Sequence, residues 1–558
     1  MKKVDTLLRG GQVINVQNRS IEHIDIGILD GKIVLGATEA ETIIDVNGSY
    51  IAPGFIDAHM HVESTMLPPT SFAKLTLPHG TTSAVFDPHE IANVLGIAGI
   101  TLIMNDAKNI PFDAFFAASS CVPASPLETS GATLSADDLE PLFSDERVIA
   151  LAEMMNFPGV IFDDPEVHKK IKMGLRYGKV DGHCPGLIGE QLLKYISAGI
   201  SSDHESTTAK EANEKLLAGM QIYIREGSAA KNLEALLPIV TSENAHKICF
   251  CTDDRHPADL RDEGHIDHII RKAITLGLDP ILAICIATKH TADHYGLKQI
   301  GSIDTGKFAN LVLFDNLQSP HPRQTWHHGN LVAENSKTLI EIKCETDWSL
   351  AKESVHLPDS ITTDSFRING SGKTIRVIGL IPNQLFTEEL LIEPVIDNDL
   401  IVADSKNDVL KMAVIERHHN TGNIGLGFIK GLGFSNGAIA STVGHDAHNI
   451  AVVGDNDSDM FFAAKTLSES GGGQCVVSNG NLLALLPLPI AGLMSDAEPK
   501  KVIEQQIALL RASASLGCPL DDPFMPLSFI PLSVIPKLKL SDLGLVDVDQ
   551  FAIVPIEK

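Results

Sequence analysis

A chain of 558 residues with 44% hydrophobic and 21% charged content has a globular composition and enough length for about two to four domains, which excludes disordered and fibrous architectures. Its 71 acidic and 44 basic residues give a formal net charge of −27. That field repels nucleic-acid phosphates and anionic lipid, so neither nucleic acid nor membrane is expected as a partner and a small molecule fits better. No run approaches about 18 consecutive apolar residues, and the start MKKVDTLLRGGQVINV carries no apolar signal region, so a cytoplasmic protein is expected.

The first 50 residues read as short strands joined by tight turns: TLLRGGQVINV, then HIDIGILDGKIVLG with an Asp30-Gly31 hairpin signal, then TIIDVNGSYIAPG. From 51 to 300, strand-like runs such as TTSAVFDP, VIALAEMMNF, KVDGHCPG, GISSDHES, QIYIREGS and KICFCTDDRH are each followed by a helical pattern. Alternation of this kind predicts a parallel sheet, and the length approaches the roughly 250 residues of a (β/α)8 barrel, whose site gathers at the C-terminal strand ends. GSIDTGKFANLVLFDN and HHGNLVAENSK return to β texture. Residues 1–50 plus 301–345 therefore predict one small β-sandwich flanking a barrel at 51–300. Strands such as KTIRVIGLI and DLIVADS with Gly-rich turns predict a C-terminal α/β domain at 346–558. The scattered cysteines (121, 184, 249, 251, 285, 344, 475 and 518) suit free buried thiols rather than a disulfide framework, with Cys249 and Cys251 on one strand face.

In PGFIDAHMHVEST (53–65), His59 and His61 fall on one face of a strand, roughly 7 Å apart, with Asp57 and Glu63 sharing their parity. Such a pair alone suits a plain strand end as well as a metal. The later strand ends change the reading: Glu153 closes ALAEMMN, His183 closes VDGHCPG, His204 closes SSDHES, and Asp253 with Asp254 closes CFCTDDRH. In a barrel these share one mouth with His59 and His61, and four imidazoles with two carboxylates suit Zn2+, Fe2+ or Mn2+. A carboxylate spanning two ions would make the centre binuclear, with an activated water as nucleophile.

His89 and Glu90 end the second run, placed either to touch substrate or a further ion or to cap the structure. Ser119, Ser120 and Arg225 are candidate hydrogen-bond donors to a ring edge. Arg225 could equally pair with a buried acid, and Arg255 reads as an ion-pair partner. His445 and His448 in GHDAHN suit either a shared helix face or a turn in a loop packed on the barrel or a neighbouring subunit; His327-His328 and His418-His419 read as solvated pairs. No P-loop or G-x-S-x-G context is present, and the H-x-E with P-C-x-x-C of the other zinc deaminase fold is missing.

PGFIDAHMHVEST resembles the first-strand signature of the amidohydrolase superfamily. DPHEIANVLG, SSCVPASP, LAEMMNFPGV, DGHCPGL, REGSAAKNL, CTDDRHP and GHIDHIIR resemble the bacterial type of adenine deaminase within it, as do STVGHDAHNIAVVG, GGGQCVV and LPLPIAGLMS near the C-terminus. The likeness spans nearly the whole chain. It implies a distorted (β/α)8 metallo-dependent hydrolase barrel holding two divalent ions, Mn2+ or Fe2+ with Zn2+ as the alternative. His59 and His61 would hold one ion together with Asp253, which would also act as base; His183 and His204 would hold the other. Glu153 would bridge in place of the carbamylated lysine of many relatives.

The implied reaction is hydrolytic deamination of adenine to hypoxanthine and ammonia: water adds at C6, Asp253 accepts its proton, and the amine departs protonated. An acid must face the ring nitrogen beside C6, and Glu90 and Asp254 are the candidates; His89, Ser119, Ser120 and Arg225 are the candidate substrate contacts. A homo-oligomer is expected. The alternative is another amidohydrolase acting on a cyclic amide or N-acyl substrate, the former favoured had a lysine stood in place of Glu153. A non-catalytic scaffold would have lost one of the six ligands, and all six stand. The barrel motif comes early, so the longer N-terminal extension of some relatives is expected to be missing.

Overall fold

The computed structural model describes residues 3–558 except Ala229 and Asn383. Eight short parallel strands build its centre: β1 (Phe55–Met60), β2 (Thr81–Phe86), β3 (Asp113–Ala118), β4 (Val148–Met154), β5 (Lys179–Gly182), β6 (Ser202–Asp203), β7 (Gln221–Arg225) and β8 (Ile248–Cys251). Every residue of β1, β2 and β8 is buried, because helices cover the outer face while side chains fill the interior. The helices carry the matching period. Ile266–Thr275 buries Ile266, Ile269, Ile270, Ala273 and Ile274 along one stripe, and the Thr208 hydroxyl accepts from the Glu211 N–H to start the helix after β6.

The strands pair in chain order as a five-stranded and a three-stranded ladder, and two seams join these into a ring. Between β5 and β6 the Ser201 N–H donates to the Val180 carbonyl at 2.9 Å. Between β8 and β1 the Asp253 N–H donates to the His59 carbonyl at 3.1 Å and the His61 N–H to the Asp253 carbonyl at 3.2 Å. Asp253 sits at φ 57°, a left-handed conformation that Asp tolerates better than bulkier residues. Closing the barrel and gathering His59, His61 and Asp253 are thus one event.

Below the barrel, Leu311–Phe314 pairs antiparallel with Tyr50–Pro53, immediately before β1, inside a seven-stranded sheet that also holds Gln12–Asn15. A four-stranded sheet of N-terminal segments shares its core: Leu8, Ile26, Ile28 and Ile33 pack with Ile51, Leu311, Leu313 and Trp326. The hairpin of β9 (Gln324–His327) and β10 (Asn330–Glu334) belongs to the larger sheet.

The C-terminal part is an eight-stranded mixed sheet with a helix on each face. Along Leu410–Ile415 the side chains alternate as a strand requires: Met412 and Val414 join Val502 and Leu509 of helix Pro499–Ser515, while Ala413 and Ile415 join Met460, Ala463 and Leu467 of helix Asp457–Glu469. Met66 and Leu67, from the loop after β1, insert into the first of these cores, and Ser495 N–H bonds the Met66 carbonyl at 2.9 Å. The C-terminal unit therefore sits on the barrel mouth.

Two expectations are corrected. Seven cysteines are buried free thiols, but Cys344 is exposed. The paired histidines are only partly solvated: His327 is buried against Asp113 and His328 half-buried beside it, while His418 is half-buried with its ring 2.7 Å from the Ala447 carbonyl and His419 is exposed with its ring 3.0 Å from the Ser130 carbonyl. Among the described residues, no helix is long and apolar enough to cross a membrane.

Gly182 ends β5 just before His183, and a Cβ there would meet the Ser202 carbonyl at 2.2 Å and Ile200 at 2.7 Å. Gly182→Ala is expected to cost about 1–3 kcal/mol of stability through overpacking. A lowered urea midpoint at unchanged slope checks it.

Candidate metal centre at the barrel mouth

Glu153, buried at the end of β4, occupies the middle of the mouth. Its Oε1 lies 3.3 Å from His61 Nε2 and 3.6 Å from His59 Nε2; its Oε2 lies 2.6 Å from His183 Nδ1 and 3.1 Å from His204 Nε2. One carboxylate thus turns a different oxygen to each histidine pair. Asp253 Oδ1 stands 3.2 Å from His61 Nε2. His61 is oriented by its other nitrogen, 2.9 Å from the Asp87 carbonyl, which leaves Nε2 facing the cluster.

The charge balance calls for cations. Asp87, Glu90, Glu153, Glu205, Asp253 and Asp446 are buried around the mouth and Asp254 is half-buried; Arg225 is the guanidinium that answers two of them, Glu205 and Asp253. Buried carboxylates in such number are costly unless paired or coordinated. Burial and the neighbouring His204 and His61 drop His59 to about 3, so its ring is neutral with a free lone pair. His204 goes the other way. Against the pull of burial, Glu153, Asp253 and Glu205 raise it to about 9, so cation binding there displaces a proton.

The donors fit divalent ions of the borderline class. His59 Nε2 and His183 Nε2 are fully buried with no hydrogen-bond partner, an arrangement that is costly unless something else engages them. His59, His61 and Asp253 form one group of convergent donor atoms, His59, Glu153 and His204 a second, and His183, His204 and Glu205 a third.

The C-terminal unit supplies the roof. In the turn at GHDAHN, His445 Nδ1 lies 2.7 Å from Glu90 Oε1 and His448 Nε2 contacts Glu90 Oε2, while His89 Nε2 lies 3.3 Å from Glu90 Oε1. Phe529 stacks on His445 at 4.3 Å between ring centres. A narrow cavity of about 20 Å3 lies between barrel and roof, lined on one side by Glu63, Ser64 and Asp254 and on the other by Gln474, Phe524 and Met525.

The family model of the amidohydrolase family matches residues 50–339, and that of the adenine deaminase C-terminal domain matches residues 384–552. The chain is 44% identical over 555 residues to the adenine deaminase of Desulfatibacillum aliphaticivorans, covering 99% of this chain and 97% of that one. It is 43% identical over 558 residues to adenine deaminase 2 of Carboxydothermus hydrogenoformans, covering 100% and 97%. The chain belongs to the adenine deaminase family of amidohydrolases. A crystal structure of an adenine deaminase superposes with a TM-score of 0.45 at 17% identity, covering 60% of this chain and 100% of that one.

Within this family member, the geometry brings His59, His61, Glu153, His183, His204 and Asp253 together, with His89 and Glu90 beside them. Asp254 faces the cavity with its Oδ1 accepting from Ser64 Oγ at 2.5 Å. Three candidates are spent on the protein. The Ser119 hydroxyl donates to Asp87 at 3.3 Å, the Ser120 hydroxyl donates to the Glu153 carbonyl at 2.6 Å, and Arg225 takes the ion-pair alternative.

Sequence reading passed over Asp87, Glu205 and Asp446, each inside a quoted motif and next to a chosen residue; only the fold shows that they point inward. Phe524 and Met525 carried no signal, being ordinary core residues until the C-terminal unit seats on the mouth, and Gln474 of GGGQCVV was passed over. Asp57 turns aside to the β1/β8 seam, accepting from the Thr252 hydroxyl at 2.6 Å.

The two strand ends bearing His183 and His204 are locked by buried Lys215, whose ammonium donates to the Cys184 carbonyl at 2.7 Å and to Asp203 at 2.9 Å. Lys215→Met leaves the Asp203 carboxylate buried without its partner. A loss of about 3–5 kcal/mol is expected, read from the denaturant midpoint, together with reduced metal content.

Proposed function

We propose that the chain is a hydrolase that converts adenine to hypoxanthine and ammonia, using two divalent ions, Mn2+ or Fe2+ in preference to Zn2+. The observation that carries the reading is Glu153, whose two oxygens face two separate histidine pairs in a chain that belongs to this family. His59, His61 and Asp253 would hold one ion, His183 and His204 the other, and Glu153 both. Bound there, the ions would acidify a water for attack on C6 of the purine.

The remaining work falls to the chain. Asp253 takes the water's proton and passes it to the departing amine. Glu90 forms with the imidazoles of His445 and His448 the acid cluster that gives a proton to the ring nitrogen beside C6 and takes back the one that the C6 hydroxyl loses as the amine departs. Asp254, fixed by Ser64, positions the ring edge. Between barrel and roof, Met66, Phe524 and Met525 offer apolar faces, and Ser64, Gln474 and Ser528 polar edges, to a flat heterocycle. The seated C-terminal unit keeps bulk water from the reacting centre.

Protein loaded with Mn2+ or Fe2+ is expected to release ammonia from adenine, and not from adenosine, cytosine or a hydantoin. Ammonia from none of the four would sink the reading, and release from a hydantoin alone would move it to the cyclic amides. Asp253→Asn is expected to lower kcat by about 10²–10⁴. Glu90→Gln, with the same cost in kcat and little change in KM, checks the role of the ring acid; full turnover in either variant removes that residue from the mechanism.

A further inference from the structure

The turn after β1 holds an acid that the deamination steps leave unused. Glu63 stands in the single turn Val62–Thr65, which closes with the Met66 N–H donating to the Glu63 carbonyl at 2.8 Å. The residue is 3% exposed and lines the cavity between barrel and roof. One carboxyl oxygen is committed: Oε1 accepts from the Ile91 N–H at 3.1 Å, in the first turn of the helix His89–Asp106. The other, Oε2, is fully buried and has no hydrogen-bond partner. Among the described residues that line the cavity, it is the one such atom.

The rest of the lining does not answer it. Ser64 and Ser528 spend their hydroxyl protons on Asp254 and on the Met525 carbonyl, at 2.5 and 2.7 Å, and Met66, Phe524 and Met525 are apolar. A buried acceptor without a donor is costly, so a ligand that supplies the missing N–H is favoured there. Neutral adenine has two kinds of N–H. The amine at C6 belongs at the metal centre, where it leaves, and the N–H of the five-membered ring is the donor still free to meet an acceptor elsewhere in the cavity. At about 20 Å3 with the roof seated, that cavity is smaller than a purine, so the base reaches Glu63 as Phe524 and the unbranched side chain of Met525 move aside.

On the reading that adenine is the substrate, we propose that Glu63 Oε2 accepts the N–H of the purine's five-membered ring, and that this contact selects the free base against nucleosides and other N9-substituted purines, which carry no ring N–H. A site built around a substrate N–H rejects an analogue lacking it far more strongly than an apolar pocket rejects an added methyl group.

Glu63→Gln separates this role from capping of the helix. The Ile91 N–H holds the amide oxygen, so the NH2 turns toward the cavity and an acceptor there becomes a donor. The full chain and this variant, both loaded with Mn2+, are compared on adenine and 9-methyladenine through kcat/KM for ammonia release, with metal content and thermal midpoint reporting that the variant folds and loads. Wild type is expected to prefer adenine by about 10²–10⁴-fold, and the variant to lose most of that preference, chiefly by losing adenine. An equal preference in the two proteins overturns the proposal while adenine deamination stands; no turnover of adenine by the wild type sinks both. Where the variant does not fold, a wild-type crystal holding hypoxanthine decides: a nitrogen of the five-membered ring is expected within about 3.2 Å of Glu63 Oε2, and its placement elsewhere overturns the proposal.

Discussion

The structure turns on the burial of carboxylates at one end of a barrel. At least six are out of solvent there, and the guanidinium of Arg225 answers only two. Such a concentration of like charge is unfavourable in a weakly polar interior unless protons or metal ions neutralise it. Two of the strand-end histidines go opposite ways, His59 held neutral by burial and the neighbouring imidazoles and His204 held basic by the carboxylates, which is how a site poised to exchange protons for metal ions behaves. The hydrogen bonds that close the β8/β1 seam run through the backbone of His59, His61 and Asp253, so these three candidate ligands cannot drift apart without opening the barrel.

The C-terminal unit matters for the same reason. Its turn at His445–His448 is the counterpart of Glu90, and two buried cations hold that region. Arg417, pushed down to about 9 by burial, donates to the carbonyls of His448 and Ala491. Lys539, pushed down to about 7 by burial, donates to the carbonyls of Leu385 and Phe529, beneath the ring that stacks on His445. Both spend their donors on backbone rather than on carboxylates, which fixes loops without adding to the crowded charge at the mouth. A roof held this firmly covers the barrel mouth.

Strand periodicity in the middle of the chain made the barrel legible, because parallel strands covered by helices must be nearly continuous apolar runs and the polar residues that interrupt them fall at the ends. The same logic exposed Glu153, His183, His204 and Asp253 as partners of His59 and His61. It failed at His327, where a polar pair beside a glycine looks solvated although the packed sheets bury its first member. It also took Ser119 and Ser120 for substrate contacts and left Arg225 open: a strand-end donor reads the same whether it faces a ligand or a neighbouring protein acceptor.

The sequence by itself determined the alternation of strands and helices, the six candidate donor residues at the strand ends and, through long motifs, the family. Each of these is local information, set by spacing along one strand or by an unbroken string. Only the tertiary structure decided which oxygen of Glu153 faces which histidines, that Asp87, Glu205 and Asp446 join the site, and that residues some 400 positions later close over it. Those facts depend on side-chain direction and on surfaces meeting from distant parts of the chain, and no pattern along the chain encodes either until it is folded.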